Sequence, residues 1–316
     1  MKTGYFTDPI FLRHDTGGHP ENAGRLEAIR AKLESEGLLA RFAQKSSRPA
    51  TEQEVGLVHT IDYMHLVEEA ALSGQQFLNT PDCVISEETY SAALHGAGAF
   101  VDAVTEVAAG RLENAFLACR PPGHHAEHQE AMGFCFFNNI AIGAAMLTRE
   151  LGVQRVLIFD FDVHHGNGTQ HTFEDRKDVF FSSIHQHPST CYPGTGYEKE
   201  KGRGDGLGYT LNTPMQPYAT DEDYLEVFHN LLLPAFREYD PDFILLSAGF
   251  DAHRDDPLAQ VNLTQTAFDE MLTGMKQLAL DCCQGRLVSV LEGGYNYERL
   301  SECVASHVTL LQSDPA

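Results

Sequence analysis

The side chains of this 316-residue chain whose types and spacing suggest chemistry cluster in four short segments: Arg120-Pro121-Pro122-Gly123-His124-His125-Ala126, Asp160-Phe161-Asp162-Val163-His164-His165-Gly166-Asn167-Gly168, Ala248-Gly249-Phe250-Asp251-Ala252-His253, and Glu292-Gly293-Gly294-Tyr295. In extended chain alternate residues share a face, so Asp160, Asp162 and His164 point one way while Phe159, Phe161 and Val163 point the other. Two carboxylates and an imidazole on one face, beside Asp251, can supply three hard or borderline donors and leave positions open for water and substrate. That pattern predicts a catalytic divalent metal, most naturally zinc, with iron(II) also compatible. An isolated Asp-x-Asp, His-His or Gly-Gly-Tyr is more often a solvated loop than a site. Four such clusters together reverse that reading, because burying them is costly unless they are paired or metal-bound.

Each cluster directly follows a short apolar run, at 115–118, 156–159, 243–247 and 287–291, and a further run lies at 179–183. Runs that are apolar on both faces and separated by helical stretches describe strands of a parallel sheet buried on both sides, so the fold class is α/β. Helices are expected over 21–36, 61–73, 87–109, 138–151, 221–239, 264–281 and 297–311, with Asp221-Glu222-Asp223 in a first turn and Thr264 as an N-cap. The Gly-rich stretch 201–208 reads as a surface loop between strands. In an open parallel sheet, ligands bind at the carboxyl ends of the strands, so four segments distant in sequence are expected to converge there.

Composition narrows the partners. With 45 acidic against 22 basic residues, a net charge of −23 and 42% hydrophobic content, the chain can bury a core and would repel nucleic-acid phosphates. A cationic substrate is easier to accept, although excess carboxylate also suits a saline interior. The seven cysteines include no Cys-x-x-Cys, which argues against a disulfide framework or a zinc knot. The amino terminus has no long apolar region and no run approaches the roughly 20 apolar residues of a membrane span. A soluble cytoplasmic protein with no membrane or nucleic-acid partner is expected, as a single domain over 1–316.

The segments 120–126, 160–169, 183–185, 193–196, 249–253 and 292–295, with His14-Asp15-Thr16 and His19-Pro20-Glu21, resemble the zinc-dependent histone deacetylase and acetylpolyamine amidohydrolase family, in a class II-like, bacterial-type form. The resemblance implies an arginase/deacetylase-like fold: a single doubly wound domain whose mainly parallel eight-stranded sheet carries helices on both faces. It implies Asp162, His164 and Asp251 as zinc ligands, His124 and His125 as the tandem catalytic histidines, and Tyr295 as the catalytic tyrosine. Asp160 matches the partner of His124 and, with Ser183, a site for K+ or Na+. Asn167 stands where relatives often carry an Asp beside the second histidine; lacking charge, it should leave His125 easier to keep neutral and better poised as a base. Gly133, Phe134 and Tyr192 match the acyl-lysine channel, and Asp82 falls loosely at a substrate-backbone contact. Tyr192 replaces the Phe of many members, which makes that wall more polar.

The activity so implied is removal of acetyl or other acyl groups from lysine side chains of proteins or peptides. His125 would act as general base and then general acid, and Tyr295 as oxyanion donor. An acetylpolyamine deacetylase is the near alternative; it needs a carboxylate at the channel mouth, where this chain has Leu258, with Asp255 and Asp256 nearby. A catalytically silent acyl-lysine binder would not need Tyr295, His125 and the metal residues intact. An arginase-like ureohydrolase needs two bridged metals and more carboxylates than these motifs provide.

Overall fold

A computed structural model describes residues 2–313; Met1 and residues 314–316, the ends of the domain expected over 1–316, lie outside the described residues. The apolar runs form strands where the sequence places them: β3 (Asn114–Leu117), β4 (Val156–Asp160), β5 (Val179–Gln186), β7 (Phe243–Ala248) and β8 (Leu287–Leu291), with every residue of all five buried. Three more strands, β1 (Gly4–Phe6), β2 (Ala43–Lys45) and β6 (Thr210–Met215), complete one eight-stranded sheet in the order β2-β1-β3-β8-β7-β4-β5-β6. The expected mainly parallel sheet is parallel at every pairing.

The three additional strands lack the signal that marks the others. β1 and β2 are only three residues long, and β2 is an edge strand with no buried residue. β6, the opposite edge, mixes Thr, Asn and Pro with apolar residues. Pro214 is tolerated there because an edge strand leaves one side of its ladder unpaired. The 201–208 stretch is the expected loop between β5 and β6.

Helices cover both faces of the sheet. Gly24–Ser35, Tyr297–Gln312 and Gln265–Cys283 pack in sequence on one side, while Thr89–Ala108 and Asn139–Ala145 pack on each other and on β3, β8 and β7. Thr264 caps its helix by accepting from the Thr266 amide, and Thr220 with Asp223 forms a capping box at Asp221. The helix expected over 221–239 runs as Asp221–Val227, a π turn at Phe228–Leu232, and Leu233–Tyr239. The wide turn falls just before Pro234, whose missing N–H breaks the regular ladder. Among the described residues, no helix is long and apolar enough to cross a membrane.

The strand order gathers the chemistry. β3, β8, β7 and β4 are consecutive neighbours in the sheet although they are scattered through the sequence, so the loops leaving their carboxyl ends lie side by side. The exit from β4 is pinned by the aromatic residues alternating with its acids. Phe159 packs on Phe228 and Phe236, and Phe161 on Phe250 and Phe268.

Candidate active site

Beyond β4 and β7, one carboxylate oxygen each of Asp162 and Asp251 and a ring nitrogen of His164 all lie within 4.8 Å of one another. His164 Nδ1 is 3.1 Å from both Asp162 Oδ1 and Asp251 Oδ2. Backbone amides fix the carboxylates: Val163 N donates to Asp251 Oδ1 at 2.9 Å, His164 N to Asp162 Oδ1 at 2.9 Å, and Gly293 N to Asp162 Oδ2 at 2.7 Å. Gly249 and Gly293 keep the cradle open, since a Cβ would lie 2.1 Å from Asp162 Oδ2 at the first and 2.1 Å from Asp251 Oδ2 at the second. Burial, and then the Asp162 charge, raise the Asp251 carboxyl. Two adjoining buried carboxylates with one imidazole nitrogen fit a single divalent cation of borderline character, which would balance their charge.

The tandem histidines occupy the loop after β3, and each is held through Nδ1. His124 Nδ1 lies 2.9 Å from Asp160 Oδ2, and His125 Nδ1 lies 2.7 Å from Asn167 Oδ1. Asp160 thus turns Oδ2 to His124, while its Oδ1 accepts from the Asp162 amide at 3.1 Å. Their ring centroids are 4.0 Å apart, yet their environments push them in opposite directions. Burial opposes a charge on His124, but Asp160 and Asp162 outweigh it and raise that imidazole to about 10. Burial lowers His125 well below the usual histidine range, helped by His124 and His164. These environments favour the charged form of His124 and the neutral form of His125.

Glu292 clamps this loop from β8. Its Oε2 accepts from Gly123 N at 2.7 Å and from His124 N at 3.2 Å, and burial raises its carboxyl to about 7. Gly133, at φ +54°, lets the opposite wall close on the imidazole; a Cβ there would lie 2.3 Å from His125 Cδ2.

Tyr295 faces the same space, a cavity of about 250 Å³ that it lines with His124, His125 and His164. Burial raises its phenol well above the ordinary tyrosine range, so it remains an O–H donor at neutral pH. Asp256 Oδ2 accepts from the Tyr295 amide at 2.7 Å. The Arg25 guanidinium lies 4.9 Å from the Tyr295 ring centroid and donates to Gly294 O at 2.6 Å and Glu292 O at 2.5 Å. Arg25 and Arg120, both fully buried, share the Glu21 carboxylate. Through this network, the helix Gly24–Ser35 holds the loop that carries Tyr295.

All five residues expected along the substrate channel, Asp82, Gly133, Phe134, Tyr192 and Leu258, line this cavity. Tyr192 meets His125 edge-on at 5.1 Å and is 40% exposed, and Phe134 meets Tyr295 edge-on at 5.9 Å. Asp256 is buried and accepts from three backbone amides, so it is no mouth carboxylate. Asp255 pairs with Arg299. Ser183 is register neighbour to Asp160, with its Oγ 2.8 Å from His185 Nδ1. His165 is hydrogen-bonded through both ring nitrogens, to Thr195 and Gln170, as befits a structural histidine.

Sequence reasoning gave no role to Glu292, Asp256, Glu21 or Arg25. The available signal was charge inside or beside apolar segments: Glu21 and Arg25 four apart at the start of a helix, and Glu292 directly after a strand that is apolar but for Ser289.

Residues 19–311 match the histone deacetylase domain. Histone deacetylase 15 of Arabidopsis thaliana is 39% identical over 296 residues, covering 93% of this chain and 52% of that protein. A probable deacetylase of Archaeoglobus fulgidus is 38% identical over 301 residues, covering 94% of this chain and 82% of that one, and the human polyamine deacetylase HDAC10 is 38% identical over 305 residues, covering 94% and 45%. The crystal structure of the HDA15 HD domain superposes with a TM-score of 0.92 at 37% identity, covering 99% of this chain and 91% of that one. The chain spans about half the length of several of these curated relatives. With the match running across nearly the whole sheet and its site loops, the chain belongs to the histone deacetylase family.

Proposed function

We propose that the chain hydrolyses the amide of acylated lysine side chains in proteins or peptides, with acetyl as the principal acyl group. The observation that favours lysine over a polyamine is Leu258, an apolar residue lining the cavity where a carboxylate would be needed to hold a remote ammonium. Phe134 and Tyr192 supply aromatic surface for a methylene stem, and a 250 Å³ cavity suits a short acyl-lysine arm.

A divalent ion held by Asp162, His164 and Asp251, zinc or iron(II), would supply Lewis acidity for the water and the carbonyl. The protein's own groups do the rest. His125, neutral and hydrogen-bonded at Nδ1, accepts the proton of the attacking water at Nε2 and returns it to the departing amine. His124, kept cationic by Asp160, supplies positive charge beside it. Tyr295 donates its O–H to the substrate carbonyl oxygen, a bond that strengthens as negative charge develops. K+ or Na+ beside Asp160 and Ser183 belongs to the same proposal, as does a reducing cytoplasmic setting for a chain whose seven cysteines are all free.

Asp82, the acidic side chain outside the metal cluster that lines the cavity, favours a second reading as an acetylpolyamine deacetylase. Parallel kcat/KM values for an acetyl-lysine peptide and acetylputrescine separate the two. The proposal expects the peptide to be preferred about fivefold, roughly the upper value of one exposed charge contact; a reversed preference would transfer the assignment to polyamines.

A further inference from the structure

His125 is held by an amide, and an amide has two unlike ends. Oxygen and nitrogen of an asparagine side chain are nearly isosteric, so only the surrounding hydrogen bonds decide which end faces the imidazole. If Asn167 Oδ1 faces His125 Nδ1, the ring must carry its proton on Nδ1, leaving Nε2 free to accept. If the NH2 end faced it, Nδ1 would have to accept and the free nitrogen would already be protonated. The structure settles the orientation at the far end of the amide: Asn167 Nδ2 donates to Glu127 Oε1, and an ionised carboxylate can only accept. The remaining contacts of Nδ2, His125 O at 3.3 Å and Met132 Sδ at 3.4 Å, are acceptors as well.

Glu127 is itself fixed. Its amide donates to Glu130 O at 3.0 Å. Its carbonyl lies 2.9 Å from His59 Nδ1, which must donate because His59 Nε2 accepts from Asn138 N at 2.9 Å. His171 Nδ1 lies 2.9 Å from Glu127 Oε1 and 3.1 Å from Oε2, on the solvent side. A four-residue chain, His171–Glu127–Asn167–His125, therefore runs from the surface to the cavity.

We propose that Glu127 is a positioning residue for His125: its carboxylate orients the Asn167 amide and so selects the imidazole tautomer able to accept a proton at Nε2. A carboxylate in place of the Asn167 amide would accept from His125 either way round and need no orienting group, and it would set two carboxylates against each other. Asn167 and Glu127 are therefore a matched pair, and changing one alone is worse than changing both. The inference rests on the role given to His125 above.

The test is a double-mutant cycle of Glu127→Gln and Asn167→Asp in the zinc-loaded protein, with kcat and KM for an acetyl-lysine peptide and the tautomer of ¹⁵N-labelled His125 read by long-range ¹H–¹⁵N correlation. The glutamine amide introduced by Glu127→Gln can face Asn167 with either end, so this variant should mix the tautomers and lower kcat about two- to tenfold at little change in KM, as a wrong tautomer populated to roughly half or nine-tenths would. Asn167→Asp alone should lower kcat through carboxylate repulsion. The double variant, in which the introduced glutamine donates to the introduced aspartate, should recover most of the loss. An unchanged His125 tautomer in Glu127→Gln, or a double variant no better than the worse single one, overturns the proposal. Failure of the wild-type protein to hydrolyse any acylated amine would instead sink the deacetylase reading, and the tautomer measurement would still decide the role of Glu127.

Discussion

Replacing Glu21 by Gln removes one charge from a fully buried cluster and should weaken both the fold and the Tyr295 loop. Glu21 receives Arg120 Nε at 2.5 Å and Nη2 at 2.8 Å, and Arg25 Nη1 at 3.2 Å. Burial alone would raise this carboxyl, but the Arg120 and Arg25 charges bring it from 4.5 down to about 2. At about 1.4 kcal/mol per tenfold, that difference is worth about 3 kcal/mol. A carboxyl depressed on folding stabilises fully above its unfolded value, so the contribution is complete above about pH 5 and fades as pH falls towards 2. The variant also strands two buried guanidinium groups, and breaking such a cluster costs about 3–5 kcal/mol. For a chain of this size, with m near 3 kcal/mol/M, the urea midpoint at pH 7 should fall by about 1–1.7 M. Chelator in both samples keeps metal loss out of the comparison. The gap between wild type and variant should narrow steadily below pH 5. A midpoint loss under about 0.3 M, or a gap indifferent to pH, would refute the view that this buried charge cluster holds the Gly24–Ser35 helix to the site.

Tyr295→Phe should lower kcat by roughly 10²–10³ with metal content intact, as expected for removal of one oxyanion donor; steady-state kinetics with metal analysis reads this, and unchanged turnover removes the oxyanion role. Salt separates two explanations of the −23 net charge. Steering of cationic substrates predicts KM rising with ionic strength, whereas salt adaptation predicts flat KM and stability retained or gained in high salt.

The parts of the site legible in the sequence were those where residue type alone signals chemistry. Asp162, His164 and Asp251 stand out because acids and an imidazole directly after apolar runs have no cheap structural purpose, and the structure brings them together. The central strands were legible for the same reason, since burial on both faces strongly favours apolar residues and only a few polar ones, such as Asp160, Ser247 and Ser289, interrupt them. β1 and β2 gave no such signal because three residues are too few for a periodicity to emerge. Glu292 and Asp256 were hidden for a different reason. Each works by accepting from backbone amides of a loop far away in sequence, and no feature of a loop's side chains reveals where its N–H groups will point. Glu127 escaped because its value lies in being an acceptor for Asn167, a relation visible only once the loop after β3 meets the helix that Asn167 opens.

In the proposed mechanism three residues hold one divalent ion beside an acid–base pair that cleaves acylated amines. Acetate released from an acetyl-lysine peptide by the zinc-loaded protein, measured before and after chelation, tests it most directly. One acetate is expected for each lysine freed, at one divalent ion per chain, with release lost when the ion is withdrawn. Equal release after complete metal removal, or none from peptide or acetylpolyamine with the ion bound, would contradict it.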